Sequence, residues 1–264
     1  MSGPPKDLPR CQVSSAGGRG RLAGASDGMD AVGERTRTYS QRPPQDAPGP
    51  RRTTPDNGTV PPAPVIVDLL RHGLPVGGRR YRGAQDDPLS ETGWAQMTTA
   101  VAPLNGHHHI VTSPLRRCRA FAEALATERG LPVSVEERFR EIGFGAWEGR
   151  SPEELAAEDP EGQARFWADP LTGTPPGAEP MAAFRDRVVA GWEALATDHA
   201  GRHVLVVGHG GLIRVLLCHA LEMPLAAFCR IQVPYASLTR LRLDPDATPS
   251  LIFHNGGALL EAAP

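Results

Sequence analysis

Ala63-Pro64-Val65-Ile66-Val67-Asp68-Leu69-Leu70 runs directly into Arg71-His72-Gly73. The apolar, β-branched run reads as a strand of a buried sheet, and the glycine marks the turn that ends it. A strand so terminated delivers an imidazole beside a fixed positive charge. The pattern returns late in the chain. There Val204-Leu205-Val206-Val207 leads into Gly208-His209-Gly210-Gly211 and then into an apolar, helix-like stretch from Leu212 to Leu221. In open α/β sheets ligands gather at the carboxyl ends of the strands, so both histidines are expected in one pocket at one sheet edge. Nine histidines in 264 residues are ordinary, and a lone strand-end histidine most simply packs or faces solvent. The repeated context carries the functional reading.

Strand-like and helix-like segments alternate from Val65 onward, the pattern of a three-layer α/β/α sandwich around a mostly parallel central sheet. Strands are expected over Val65–Leu70, Ile110–Thr112, Val133–Val135 and His203–Val207, with Ser237–Leu243 and Leu251–His254 completing the sheet. A helix opens after Ser90, its cap. Another runs from Pro114 to Arg129, with Leu115, Cys118, Phe121, Ala122 and Leu125 at core spacing and Gly130-Leu131-Pro132 as its stop. Further helices are expected around Pro152–Trp167, over Met181–Ala200 and over Leu212–Leu221. No internal repeat is present.

Residues 1–64 read differently. They are dominated by Gly, Pro, Ser, Arg and Asp, as in Ser15-Ala16-Gly17-Gly18-Arg19-Gly20-Arg21, and such a segment cannot bury enough surface to offset its ordering entropy. The expectation is a disordered extension over 1–64 ahead of one domain over 65–264. Every basic residue except Lys6 is arginine, which suits a targeting arm, but Asp27, Asp30, Glu34, Asp46 and Asp56 are interspersed and no apolar leader core is seen. A start placed too far upstream, with Met29 as an internal alternative, fits the same composition.

The formal net charge of −2 gives no reason to expect nucleic acid or an anionic membrane as partner. Cys11, Cys118, Cys218 and Cys229 lack paired metal spacing and read as reduced thiols of a cytoplasmic protein. No apolar run approaches bilayer length, so a soluble chain is expected.

Strand ends and loops then collect Arg71, His72, Arg117, Glu141 and His209, and each residue type has a task in phosphoryl transfer. A neutral imidazole nitrogen of His72 can attack phosphorus in line to give a phosphohistidine that water later hydrolyses. Arg71, Arg117 and a protonated His209 would hold the three equatorial oxygens. Glu141, beside Ile142-Gly143-Phe144-Gly145-Ala146-Trp147, is placed to protonate the leaving alkoxide, with the neighbouring aromatics expected to raise its pKa.

The ordered set resembles the histidine phosphatase superfamily, also called phosphoglycerate mutase-like. Its carriers are Leu70-Arg71-His72-Gly73, Asp87-Pro88-Leu89-Ser90-Glu91-Thr92-Gly93, Thr112-Ser113-Pro114-Leu115-Arg116-Arg117-Cys118, Glu141 to Gly149 and Val207-Gly208-His209-Gly210-Gly211. The resemblance implies that His72 is phosphorylated, that Arg71, Arg117, His209 and Gly210 surround the phosphate, and that Glu141 is the proton donor. It implies a small phosphorylated metabolite as substrate, no metal or other cofactor, and leaves a homodimer open.

Within the family the chain is most similar to α-ribazole-5′-phosphate phosphatases of cobalamin assembly. That finer likeness rests on Gly77-Gly78-Arg79-Arg80-Tyr81-Arg82-Gly83, Asp86-Asp87-Pro88-Leu89, Phe166-Trp167-Ala168-Asp169-Pro170, Thr174 to Glu179 and Val233-Pro234-Tyr235-Ala236. Arg79, Arg80 and Arg82 become candidate phosphate or ribose contacts. Many members carry a polar residue, a Thr and an Asn where this chain has Leu74, Pro75 and Gly78, and Arg82 is the candidate to replace the missing phosphate donor.

Three functions follow from this reading. The first is a phosphatase, the second a mutase-type isomerase and the third a catalytically silent binding module. The short, acidic Pro152–Pro180 segment favours release of product to water. His107-His108-His109 is expected as a solvated loop rather than a metal site, because consecutive residues do not converge. His199, His203, His219 and His254 have no partner motif. Trp94, Trp167 and Trp192 read as core, with Trp147 at the pocket wall.

Overall fold

The computed structural model describes residues 63–245 and 248–256. The expected extension over 1–64 therefore lies outside the described residues except for its last two. Strands β1 (Val65–Arg71), β2 (His109–Thr112), β3 (Val133–Val135), β4 (His203–Gly208), β5 (Leu238–Leu243) and β6 (Ser250–His254) form one sheet in the order β3-β2-β4-β1-β5-β6. β1, β2, β3 and β4 pair in parallel, while β5 runs antiparallel to both β1 and β6. The expected mostly parallel sheet is the one found.

Side chains on a strand alternate between faces, and here each face has its own core. Val67 and Leu69 of β1, Val111 of β2, and Val204 and Val206 of β4 pack with helices α5 (Met181–Asp198) and α6 (Gly210–Ala220). Leu70, Ile110, Leu205 and Val207 point the other way, onto α1 (Glu91–Val101) and α2 (Arg116–Arg129). Both faces are covered, which makes three layers. Each fully buried Leu, Val or Phe here contributes about 1.5–3 kcal/mol relative to exposure.

Local signals set most element ends. The Ser90 hydroxyl accepts from the Gly93 N–H at 3.0 Å and donates to the Leu74 carbonyl at 2.8 Å, which caps α1 and ties it to the loop after β1. Gly130 stops α2 in the left-handed region at φ +64°. Helix α2 starts at Arg116, later than expected, because Leu115 is still extended. The single helix expected around Pro152–Trp167 is two, α3 (Pro152–Glu158) and α4 (Pro160–Ala168). Pro160 cannot continue a helix, and Asp159 starts the second by accepting from the Gly162 N–H at 2.9 Å. Among the described residues no helix is long and apolar enough to cross a membrane.

One polar knot interrupts the apolar sheet. Asp68, fully buried in the middle of β1, accepts from Arg240 Nε at 2.7 Å and Nη2 at 2.9 Å, with His107 Nε2 and His203 Nε2 each 2.9 Å away. His107 is thus buried rather than solvated, and His203 has a partner, both contrary to expectation. The reason is the sheet itself, which brings the segment before β2 and the start of β4 to the middle of β1. Burial alone would raise the Asp68 pKa, but hydrogen bonds from Arg240, His107 and His203 outweigh it and hold the carboxyl well below the usual range.

Asp68, His107 and His203 offer ligand atoms within 4.8 Å of one another, the one such grouping among the described residues. The same carboxylate is already matched by the Arg240 fork. Replacing Asp68 by Asn leaves the Arg240 guanidinium without its counter-charge, so Asp68→Asn is expected to lower unfolding stability by about 3–5 kcal/mol. Urea denaturation of the two proteins checks this; a loss under about 1 kcal/mol, the scale of an exposed pair, would show that the knot is not a buried charge pair.

Candidate active site

The parallel register of β1 and β4 sets Arg71 opposite Gly208, so the residues that follow, His72 and His209, leave the sheet side by side. The His72 N–H donates to the Gly208 carbonyl at 2.9 Å, and the Ser113 N–H, just past β2, donates to the Val207 carbonyl at 3.0 Å. The two imidazole rings lie edge to face with centroids 5.3 Å apart. The two strand-end histidines are thus neighbours, as expected, and both are buried.

His72 is oriented by its own backbone neighbour, with Nδ1 2.7 Å from the Gly73 carbonyl oxygen. A carbonyl only accepts, so Nδ1 carries the hydrogen and Nε2 keeps its lone pair. Burial first, then the charges of Arg117 and Arg71, push the His72 pKa well below its ordinary value. The ring is neutral near pH 7, with its free lone pair on Nε2.

The cations are held by carbonyls rather than carboxylates. Arg117, fully buried, donates from Nη1 to the Gln85 carbonyl at 2.9 Å and from Nη2 to the Arg82 carbonyl at 3.1 Å. Arg71 donates from Nη1 to the Val233 carbonyl and lies 4.1 Å from the Tyr235 ring centroid. Burial lowers the Arg71 pKa to about 10, which leaves it charged at neutral pH. The Nε of each arginine is buried without a hydrogen-bond partner. Unmatched buried donors are costly, and a tetrahedral oxyanion supplies what both lack.

His209 departs from expectation in its charge. Its Nε2 is 2.6 Å from the Ser113 hydroxyl, and burial, Arg117, His72 and Arg71 push its pKa well below the ordinary value. The protein alone favours a neutral imidazole, not the imidazolium expected. Beneath the ring the Cys118 thiol donates to the Gly208 carbonyl at 3.3 Å, and burial raises its pKa so that it remains a thiol.

Glu141 is buried, its carboxylate accepting from its own neighbour Ile142 N–H at 3.1 Å and from Gly211 N–H at 3.0 Å in the first turn of α6. Phe144 and Trp147, its neighbours in sequence, pack their rings with Tyr81 and Phe166, and Trp147 is buried in the core. Arg187 holds the backbone beneath Glu141. It donates to the Arg140 carbonyl at 2.7 Å and the Glu141 carbonyl at 3.1 Å, and is itself matched by Glu179.

Other predicted contacts serve the loop instead. Arg82 is buried, with its guanidinium donating to the Asp87 carboxylate and to the Gly78 and Val76 carbonyls. Its charge is felt at His72, but its Nε and both Nη nitrogens shape the turn. Arg80 donates to the Gly77 and Gly149 carbonyls and pairs with Glu154. Gly78, one of the departures from the family pattern, adopts φ +75°, which suits glycine there. Gly210 lies against the Arg71 side chain, where a Cβ would come 3.3 Å from Nε.

Ser113, Tyr235 and Glu148 stand within the motifs quoted above, but none was expected to have a site role of its own. Glu148 accepts from the N–H groups of Gly83, Ala84, Gln85 and Phe144, which fixes the loop whose carbonyls hold Arg117. Its signal was available, as an acid repeating within the Glu141–Gly149 motif.

A Cβ at Gly211 would fall 2.2 Å from the Glu141 carboxylate. Gly211→Ala is therefore expected to displace the carboxyl and reduce kcat about 100-fold, measured on any phosphomonoester turned over by the parent protein; a loss under about threefold would remove Glu141 from the proton transfer. His72, His107 and His209 all have folded-state pKa values below 6.5. The unfolded chain binds protons at these sites first, so their stability contribution is complete above the unfolded value and is lost as pH falls below about 6.5. The unfolding free energy should decline from pH 7.5 to pH 5, at up to roughly 1.4 kcal/mol per pH unit for each histidine, as urea denaturation at each pH measures; a flat or rising profile would contradict the neutral assignments.

Residues 67–255 match the family model of the histidine phosphatase superfamily, branch 1. The bifunctional protein Rv2228c of Mycobacterium tuberculosis is 35% identical over 193 residues, which are 71% of this chain and 53% of that protein. The chain thus spans about half the length of that curated relative. Glucosyl-3-phosphoglycerate phosphatase of Mycolicibacterium vanbaalenii is 34% identical over 170 residues, 59% of this chain and 74% of the relative. Among solved structures, a mycobacterial glucosyl-3-phosphoglycerate phosphatase with VO3 superposes with a TM-score of 0.66 at 30% identity, covering 72% of this chain and 98% of the other. A putative α-ribazole-5′-P phosphatase from Escherichia coli superposes with a TM-score of 0.64 at 26% identity, covering 72% and 96%. The matched span contains both strand-end histidines together with Arg71, Arg117 and Glu141, and this chain belongs to the histidine phosphatase superfamily.

Proposed function

We propose that the protein hydrolyses phosphomonoesters through a phosphohistidine formed on His72 Nε2. The observation that carries this reading is the Nδ1 contact to the Gly73 carbonyl, which leaves Nε2 free between two buried cations with unmatched donors. The phosphoryl oxygens take the Arg71 and Arg117 donors and His209. Nε2 forms a bond to phosphorus as the P–O bond to the alcohol breaks, and Glu141 gives the departing alkoxide its proton. Positive charge developing on the imidazole is stabilised by the retained Nδ1–H bond to Gly73. Water then attacks the phosphohistidine, the P–N bond breaks, and its proton returns to Glu141.

The substrate is a small phosphorylated metabolite. The loop motifs around Gly77–Gly83 support α-ribazole 5′-phosphate, and with it a place in cobalamin assembly. A second reading, a phosphorylated hydroxy acid, is favoured by the higher identity to glucosyl-3-phosphoglycerate phosphatases. The short α3–α4 segment between Glu141 and α5 supports release to water over the isomerase alternative.

Purified protein is expected to hydrolyse 4-nitrophenyl phosphate in the presence of a chelator, and His72→Ala to reduce kcat by about 10⁴-fold or more. Turnover that survives the substitution, or that disappears with the chelator, would contradict the mechanism.

A further inference from the structure

The phosphoryl site accounts for Arg71 and Arg117, but a third cation stands beside them. Arg214 lies on α6, three residues after Gly211 and four after Gly210. Those spacings put it on the same helix face, one turn further from the helix start. Gly211 holds the Glu141 carboxylate and Gly210 borders the Arg71 guanidinium, so Arg214 sits next to both the acid and the nearest phosphate-binding arginine.

The side chain is half-buried and fixed. Its Nε donates to the Ile231 carbonyl at 2.8 Å, two residues from the Val233 carbonyl that holds Arg71. Its guanidinium carbon lies 5.4 Å from the Phe228 ring centroid and 6.0 Å from that of Trp167. Arg82, Arg187 and Arg240 are each matched by a carboxylate. Among the described residues, Arg214 pairs with none, and neither Nη has a hydrogen-bond partner. Its charge acts on Arg71, which it destabilises, and is opposed by Glu141.

A cation kept half-desolvated beside another cation, with a free pair of Nη donors, is unfavourable unless an anion completes it. The phosphoryl group is already met by Arg71, Arg117 and His209. What remains is the alcohol side of the substrate, where Glu141 protonates the leaving oxygen. We infer that Arg214 forms a second anion subsite there, one that holds a carboxylate carried by the leaving alcohol. A planar carboxylate fits a single planar fork, whereas a second phosphate calls for more than one cation. Trp167 and Phe228 form the apolar wall that keeps the fork in place. This inference rests on the phosphatase reading and narrows it to phosphorylated hydroxy acids.

The test uses 3-phosphoglycerate and glycerol 3-phosphate, which share the phosphoester and carbon frame and differ at the carboxylate. The unmodified protein is expected to prefer 3-phosphoglycerate by about tenfold or more in kcat/KM, and Arg214→Gln to lose about tenfold more on that substrate than on the other. Arg214→Lys, which keeps the charge without the fork, should fall between. Equal losses on the two compounds, or no preference in the parent protein, would overturn the subsite. Calorimetric titration of the His72→Ala protein with the same pair makes the test independent of turnover and of the folding of the Arg214 variants. Tighter binding of 3-phosphoglycerate supports the subsite even if the phosphohistidine step is wrong, and equal binding overturns it even if that step is right.

Discussion

The in-register parallel ladder between β1 and β4 is the constraint on which the rest depends. Arg71 opposes Gly208, the His72 amide is bonded to the Gly208 carbonyl, and the two imidazoles emerge 5.3 Å apart between centroids. A slip of one residue would turn every side chain of one strand to the opposite face. It would exchange Val67 and Leu69 with Asp68 and Leu70 between two different cores, so apolar burial along the strand fixes the position of the histidines at its end.

One strand carries two solutions to the problem of buried charge. At Asp68 the carboxylate charge is matched by Arg240 and hydrogen-bonded by two histidines, although His107 Nδ1 is left buried without a partner. Three residues later, at Arg71, the charge is shared with one backbone carbonyl and an aromatic face, and a buried Nε is left over. Arg117 likewise meets carbonyls, those of Gln85 and Arg82, and keeps a buried Nε. In the first the buried charge has its counter-charge within the protein; in the second no carboxylate meets the cations, and this is the arrangement on which the proposed anion site rests.

The parts visible in the sequence are those with local signatures. Apolar, β-branched runs gave the strands, Ser90 and Gly130 gave helix ends, and histidine followed by glycine at two strand ends pointed to the candidate site. The parts that were hidden depend on partners far along the chain. His107 reads as a loop residue until β1 brings Asp68 beside it, 39 positions away. Arg82 reads as a phosphate ligand until its own turn claims its guanidinium through Val76, Gly78 and Asp87. Phe144 and Trp147 adjoin Glu141 in sequence, yet their rings meet Tyr81 and Phe166 while the carboxylate turns to the start of α6. Neighbours in sequence are a poor guide to neighbours in a pocket when the backbone between them is a loop.

The proposed covalent step on His72 is tested most directly by mixing the protein with a phosphomonoester, quenching in alkali within one turnover, and locating the added phosphate by peptide mass spectrometry. Phosphate on the peptide carrying Arg71-His72-Gly73, absent from the His72→Ala protein, is the predicted result. Phosphate on any other side chain, or turnover with no phosphorylated peptide at any quench time, would contradict it.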